Sequence, residues 1–386
     1  MRPCRDVVVV AYGRTPYCKA RKGALAQLHP VDFAAQALQG VLARIPALDP
    51  AQIDDLIMGC ALPFGVQGNN IARLVATRAG LPDQVCGQTV NRFCASGLQA
   101  ISIGANTISC GEADVVVAGG VESMSQVPMY PTSDKELDAW LLEHRPEAYL
   151  PMGITAENVA RRYHISRAEM EDYALISHQR AAQARDRGAF TGQIIPISLP
   201  DGGTADQDEG IRTPEELESM HTLKPCFLEE GVVTAATSSP MTDGAGFVVL
   251  MEASRAAALG LKPLAQYVCC AIGGVPAEIM GIGPTQAVPK VLARAGLTLD
   301  QLDCIELNEA FAAQTLACIR LLGMDPAKTN PDGGALALGH PLGATGAMLT
   351  CKLISHLTAA GGGTGMVTMC IGGGMGAAGI FTCPRN

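Results

Sequence analysis

Val41-Leu42-Ala43-Arg44, followed by Leu48-Asp49 and Asp55-Leu56-Ile57-Met58-Gly59, returns later in the chain as Val291-Leu292-Ala293-Arg294, Leu299-Asp300 and Asp303-Cys304-Ile305-Glu306-Leu307-Asn308. Each copy reads as a helix, a turn and a short apolar strand. Further on, each half has a small-residue elbow that opens an amphipathic helix. The first elbow holds Cys94, and Leu98, Ile101, Ala105 and Ile108 follow at helical spacing. The second holds His340, followed by Met348, Leu349, Leu353 and Leu357. A strand ending in glycines closes each unit: Val115-Val116-Val117-Ala118-Gly119-Gly120 and Met366-Val367-Thr368-Met369-Cys370-Ile371-Gly372-Gly373. Val-Leu-Ala-Arg alone is a weak identity. Four matching elements in one order mark an internal duplication.

Strands alternating with helices predict an α/β fold in layers, with two duplicated halves packed about a pseudo-twofold axis. That packing brings Cys94, His340 and Cys370 to one shared face. Residues 1–121 form the expected N-terminal half, completed by 248–270, and residues 271–386 the C-terminal half. Between them, 122–247 differ in character, with Pro-rich and charged segments and one strong helix near Ile165 to Arg187. Ser166 is its expected N-cap and Glu169 completes a capping box. This stretch reads as an inserted loop domain that covers the catalytic face and binds substrate.

Composition bounds the function. A chain of 386 residues, 48% hydrophobic and 17% charged, is a buried globular protein of more than one packed unit. A net charge of −9 argues against a general nucleic-acid or anionic-membrane binder. No apolar run is long enough to span a bilayer. Fourteen cysteines do not read as disulfides. Cys269-Cys270 are adjacent in an apolar run, and Cys318 and Cys351 sit in helical patterns, so a reducing compartment is expected. No cysteine spacing resembles a zinc site, so no metal is expected. The first strand begins almost at once, and Pro384-Arg385-Asn386 is not a peroxisomal address. The expected localisation is cytoplasmic.

The chemistry gathers at three residues. Cys94, in Asn91-Arg92-Phe93-Cys94-Ala95-Ser96-Gly97, sits where a strand turns into a helix, and helix N-terminal amides stabilise a thiolate. Its thiol pKa is therefore expected to fall. Burial as a small hydrophobe is the default for any one cysteine in fourteen, and the elbow reverses that default here. His340, in Gly339-His340-Pro341-Leu342-Gly343, has little packing purpose among glycines and alanines; it can deprotonate Cys94 and then donate to a carbonyl. The other six histidines read as surface or local structure. Cys370 precedes Gly372-Gly373-Gly374-Met375-Gly376, whose spacing does not fit a dinucleotide loop. Those glycines instead free backbone amides for an oxyanion hole beside a thiol acid/base. Asn308, in Asn308-Glu309-Ala310-Phe311-Ala312, can hold a water or a carbonyl, and Glu309 can orient its neighbours or serve as a cap.

With these motifs the sequence resembles the thiolases, specifically the 3-ketoacyl-CoA thiolases of fatty-acid β-oxidation, over essentially the whole chain. The resemblance implies an αβαβα layering of the two halves. It implies reversible thiolytic cleavage through an acyl-Cys94 enzyme, with Cys370 as acid/base. It implies one oxyanion hole from His340 and a water on Asn308, and a second from the amides of Cys94 and Gly372. By the same analogy Ser239 lies near the pantetheine arm, Arg212 near the adenine nucleotide, and Met152 in the acyl pocket. Pro151-Met152-Gly153 stands where short-chain biosynthetic members show His-Met-Gly, which favours an apolar acyl tail. Ala95, where many relatives carry Ser or Gly, keeps the small size the elbow needs.

Coenzyme A is implied as co-substrate, with no permanently bound cofactor. The implied assembly is a homodimer or homotetramer, joined in some members to a hydratase/dehydrogenase subunit. Three rivals remain. An acetoacetyl-CoA thiolase shares every catalytic residue. A ketoacyl synthase lacks the second cysteine. A non-catalytic lipid-binding or scaffold relative would have lost a reactive group.

Overall fold

The computed structural model describes residues 4–130 and 133–385. Its main strands are β1 (Val7–Arg14), β2 (Asp55–Gly59), β3 (Cys86–Val90), β4 (Val115–Ser123), β5 (Thr242–Glu252), β6 (Ala265–Gly274), β7 (Cys304–Leu307), β8 (Gly363–Ile371) and β9 (Met375–Cys383). Its main helices are α1 (Pro30–Leu42), α2 (Ile71–Arg78), α3 (Ser96–Ser109), α4 (Met152–Arg162), α5 (Arg167–Asp186), α6 (Pro284–Ala295), α7 (Ala312–Leu322) and α8 (Leu342–Ala359).

The duplication is visible in the sheet order. The first half runs β3-β2-β4-β5-β1, parallel across β3, β2 and β4 and antiparallel beyond. The second runs β7-β8-β9-β6 with the same senses, and a single parallel bridge from Ile305 to Thr329 stands where β3 would be. The half-sheets join only where Val8 and Val9 of β1 meet Gln266 and Ala265 of β6.

Alternate residues of one strand feed different cores, because successive side chains point to opposite faces. Val8 and Val10 pack under α1 and α2, with Leu38 and Val75, whereas Val7 and Val9 join the central core. That core holds Leu98 and Ile101 of α3, Leu353 and Leu357 of α8, and Val367 and Phe381 from the second half-sheet. On the far face Val288 and Val291 of α6 and Cys318 of α7 cover Ala378 and Ile380. The result is five layers, with α3 and α8 as the middle one.

The expected boundaries at 121, 247 and 270 all fall inside strands: β4, β5 and β6. Gly119 and Gly120, which suggested a strand end, instead permit close approach: a Cβ on Gly119 would lie 2.3 Å from the carbonyl oxygen of Gly246 in β5. A Cβ on Gly120 would lie 2.3 Å from the carbonyl oxygen of Gly343, at the start of α8. Residues 265–270 pair mainly with β9, so they belong to the second half.

Between β4 and β5 the chain forms the inserted region. Its helix α5 has the expected capping box, with Ser166 Oγ accepting from the Glu169 amide at 3.3 Å and Glu169 Oε2 accepting from the Ser166 amide at 2.8 Å. The region is anchored by a buried ion pair, Arg14 to Asp208 at 2.7 Å, with the guanidinium 4.7 Å above the Tyr17 ring. It is anchored again by Glu309, whose buried carboxylate accepts from Tyr173 (2.9 Å) and Ser177 (2.7 Å) of α5. Glu309 also accepts from the amide of Leu336 at 3.1 Å, in the first turn of the short helix Ala335–Leu338, so it both orients its neighbours and caps that helix.

Candidate active site

Both elbows end at helix starts. Cys94 lies in a single helical turn, Phe93–Ala95, immediately before α3, and Phe93 takes a positive φ of 43°. That conformation costs about 1–3 kcal/mol for a non-glycine residue and persists only when overdetermined. Here Asn91 Oδ1 accepts from the Phe93 amide (2.8 Å), and Ser96 Oγ accepts from the Arg92 amide (2.8 Å) while donating to Phe93 O (2.6 Å). His340 precedes α8, and its amide donates to Thr242 Oγ1 at 3.2 Å.

The two side chains meet in a cavity of about 280 Å³. Its wall is mainly apolar, with Met124, Met129, Tyr130, Met152, Phe227, Met280 and Phe311, and with Ser239 as a polar point. Cys370 lies behind that wall, fully buried at the end of β8, close enough to Cys94 for that thiol to oppose its ionisation after burial does. After it the chain turns back through Gly373 and Gly374, both at positive φ, into β9. This is a hairpin turn, with no helix for a dinucleotide to bind. Gly372 presents its amide to Cys94 Sγ.

The imidazole is fixed at both nitrogens. Asn308 Nδ2 donates to Nε2 at 3.3 Å, so Nδ1 carries the hydrogen and donates to Thr345 Oγ1 at 2.6 Å. Asn308 Oδ1 is buried without a partner, a free acceptor beside the histidine that suits a water or a substrate group.

One electrostatic expectation is reversed. Burial pushes the Cys94 thiol up to about 11; the amides of Gly372 and of Cys94 itself oppose this but do not overcome it. Burial also holds Cys370 well above the usual thiol range and lowers His340 to about 4. The resting site is therefore neutral: two thiols and an uncharged imidazole.

Of the residues expected to bind coenzyme A, Met152 and Ser239 line the cavity and Arg212 does not. Arg212 is half-buried, and its amide donates to Nδ1 of His178 at 3.2 Å. His178 is itself buried, so its role is local structure and not surface. Thr345 went unnoticed in the sequence, although it stands five residues past His340 on the first turns of α8. Glu122 also went unnoticed, although a carboxylate ending the apolar run from Val115 was its signal. The aromatic and methionine wall comes from distant loops and left no local signal.

A nucleophilic thiol facing a neutral imidazole across an apolar cavity, with a second thiol behind, is an arrangement for covalent acyl transfer. Thiolase N-terminal domain matches residues 7–254 and Thiolase C-terminal domain matches residues 261–383, so the chain belongs to the thiolase family of acyltransferases. It is 46% identical to the 3-ketoacyl-CoA thiolase of Bacillus subtilis, over 98% of this chain and 99% of that one. It is 42% identical to the peroxisomal 3-ketoacyl-CoA thiolase A of Mus musculus, over 99% of this chain and 92% of the relative. Its fold is similar to the dimeric peroxisomal thiolase of Saccharomyces cerevisiae (TM-score 0.93, 39% identity, 100% of this chain and 98% of the other). It is equally similar to the Bacillus anthracis acetyl-CoA acetyltransferase (TM-score 0.93, 37% identity, all of both chains).

Proposed function

We propose that this enzyme cleaves 3-ketoacyl-CoA with free coenzyme A, releasing acetyl-CoA and an acyl-CoA shortened by two carbons. The observation that carries the reading is the meeting of Cys94 and His340 in one apolar cavity with Cys370 behind it. Cys94 Sγ attacks the C3 carbonyl carbon while its proton passes to Nε2 of His340. Nε2 is available because Nδ1 keeps its hydrogen on Thr345. The C2–C3 bond breaks, and the acetyl-CoA enolate takes the proton of Cys370. The resulting Cys370 thiolate deprotonates coenzyme A, whose sulfur displaces the acyl group from Cys94; Cys94 recovers its proton from His340. Protonated Nε2 and a water on Asn308 would hold the thioester oxygen, and the amides of Cys94 and Gly372 the tetrahedral oxyanion. The same steps in reverse are a condensation.

Coenzyme A acts as a co-substrate in this scheme and no resident cofactor takes part. The methionine-rich wall around Met152 suits an apolar acyl tail, and Ser239 suits the polar pantetheine arm. Pairing of the exposed edge strand β3 with a second copy would give a homodimer, in keeping with the dimeric yeast relative. Fourteen free cysteines suit the reducing cytoplasm of a bacterial cell. No helix among the described residues is long and apolar enough to cross a membrane.

The test is the rate of thiolysis with free coenzyme A across 3-ketoacyl-CoA chain lengths, from four carbons upward. Turnover of medium and long chains is expected. Activity confined to acetoacetyl-CoA would keep the mechanism and move the enzyme to the acetyl-CoA acetyltransferase group. No turnover of any length would overturn the reading.

A further inference from the structure

Glu122 is a fully buried carboxylate in β4. Every polar group that faces it is a donor. Oε2 accepts from the amides of Ala61 (2.8 Å) and Gly343 (2.7 Å). Oε1 accepts from Gln67 Nε2 (2.8 Å) and the Leu62 amide (3.3 Å), with the Cys60 thiol at 3.8 Å. A protonated carboxyl would press its own hydrogen against those donors, so the cage fits the anion. No cation among the described residues pairs with it, whereas the buried carboxylates of Asp208 and Glu306 hold Arg14 and Lys352.

This uncompensated charge stands between the two elbows. Ala61 and Leu62 pack with Cys94 and Leu342 in one small cluster, and Gly343 begins the helix that follows His340. The approach is tight: a Cβ on Gly343 would lie 2.5 Å from the Ala61 nitrogen and 2.8 Å from Glu122 Oε2. The carboxylate thus links the Cys94 side of the first half directly to the His340 side of the second. The titratable groups facing Cys94 are Cys370 from β8, His340 across the cavity and Glu122 from β4. Arg92, two residues before it, is turned to Gln99 at 2.8 Å.

We propose that Glu122 is a positioning residue: its carboxylate clamps the two elbows in register and so holds Cys94 against His340. The proposal rests on the thiolase reading above. A lost clamp misplaces Cys94 against His340, and misplacement by an ångström costs about 100-fold in rate.

Glu122→Gln and Glu122→Asp test the clamp, read by thiolysis kinetics and by mass-spectrometric tracking of iodoacetamide on the Cys94 peptide. Glu122→Gln turns one acceptor of the cage into a donor that meets donors, and is expected to lose about 100-fold in kcat with KM little changed. Glu122→Asp keeps the acceptors and shortens the reach, and is expected to lose less in kcat, again at unchanged KM, while Cys94 still alkylates in both variants. Wild-type kcat in either variant overturns the clamp, as does a loss carried by KM alone. If Glu122→Gln does not fold, Glu122→Asp decides the clamp alone. Failure of the thiolase reading itself is separate: the wild-type protein would then show no thiolysis while Cys94 still alkylates.

Discussion

At the residue scale the site is held neutral until it is used. Burial raises both thiols and lowers the imidazole, so neither a thiolate nor an imidazolium waits in the empty cavity. The sequence reading expected helix amides to activate Cys94 in advance. A lone sequence carries the elbow's glycines and small residues but not the depth of burial, and here depth outweighs the amides. Cys370→Ala is expected to cut thiolysis by about 10²- to 10⁴-fold, the usual scale of a lost acid/base, while still trapping acyl-Cys94. Cys94→Ser is expected to lose the acyl thioester altogether. Intact-mass spectrometry beside steady-state rates checks both; undiminished turnover of Cys370→Ala would remove the second thiol from the mechanism.

The elements that carry the site were legible because each obeys a local rule. Leu98, Ile101, Ala105 and Ile108 repeat at helical spacing and are all buried, and Ser166-Glu169 forms the box its spacing calls for. Strand ends were less legible, since Gly119-Gly120 read as a terminus although Gly119 packs against β5 and Gly120 against the start of α8. What covers the cavity was not legible at all, because Tyr130, Phe227 and Met280 converge only after folding. Strand β3 is open on one side: among the described residues it pairs only with β2, and Cys86 and Gln88 are exposed. Such an edge invites pairing with a second chain. Gln88→Lys, which sets a charge on the exposed edge strand, is therefore expected to turn a dimer into a monomer in sedimentation. A wild-type protein that already sediments as a monomer would discard this interface.

For the whole molecule, buried neutral histidines make stability depend on pH. His178 and His340 are each lowered to about 4, His178 by burial and then by Arg212, and His340 by burial. Above about pH 6.5 neither the folded nor the unfolded imidazole is charged, and nothing changes. Between about 6.5 and 4 the unfolded chain binds protons that the folded chain refuses, so stability falls with pH, by roughly 2 kcal/mol per histidine at pH 5. His178→Gln removes one such site away from the cavity. Its melting temperature relative to wild type is expected to rise between pH 7.5 and pH 5, and a constant difference would contradict the assignment. At this scale the fold was the most legible feature of all, because the duplicated sheet order repeats what the two copies of Val-Leu-Ala-Arg announce.

That duplication has a consequence for asymmetry. Helices α3 and α8 are counterparts, and each delivers the residue at its head to the same cavity. Two identical separate copies of one half could bring only the same residue twice, either two thiols or two imidazoles. Joining the copies in one chain lets their equivalent positions diverge, one into a nucleophile and the other into its base. Covalent linkage of the halves is thus what permits a single cavity to hold unlike chemistry at symmetry-related points.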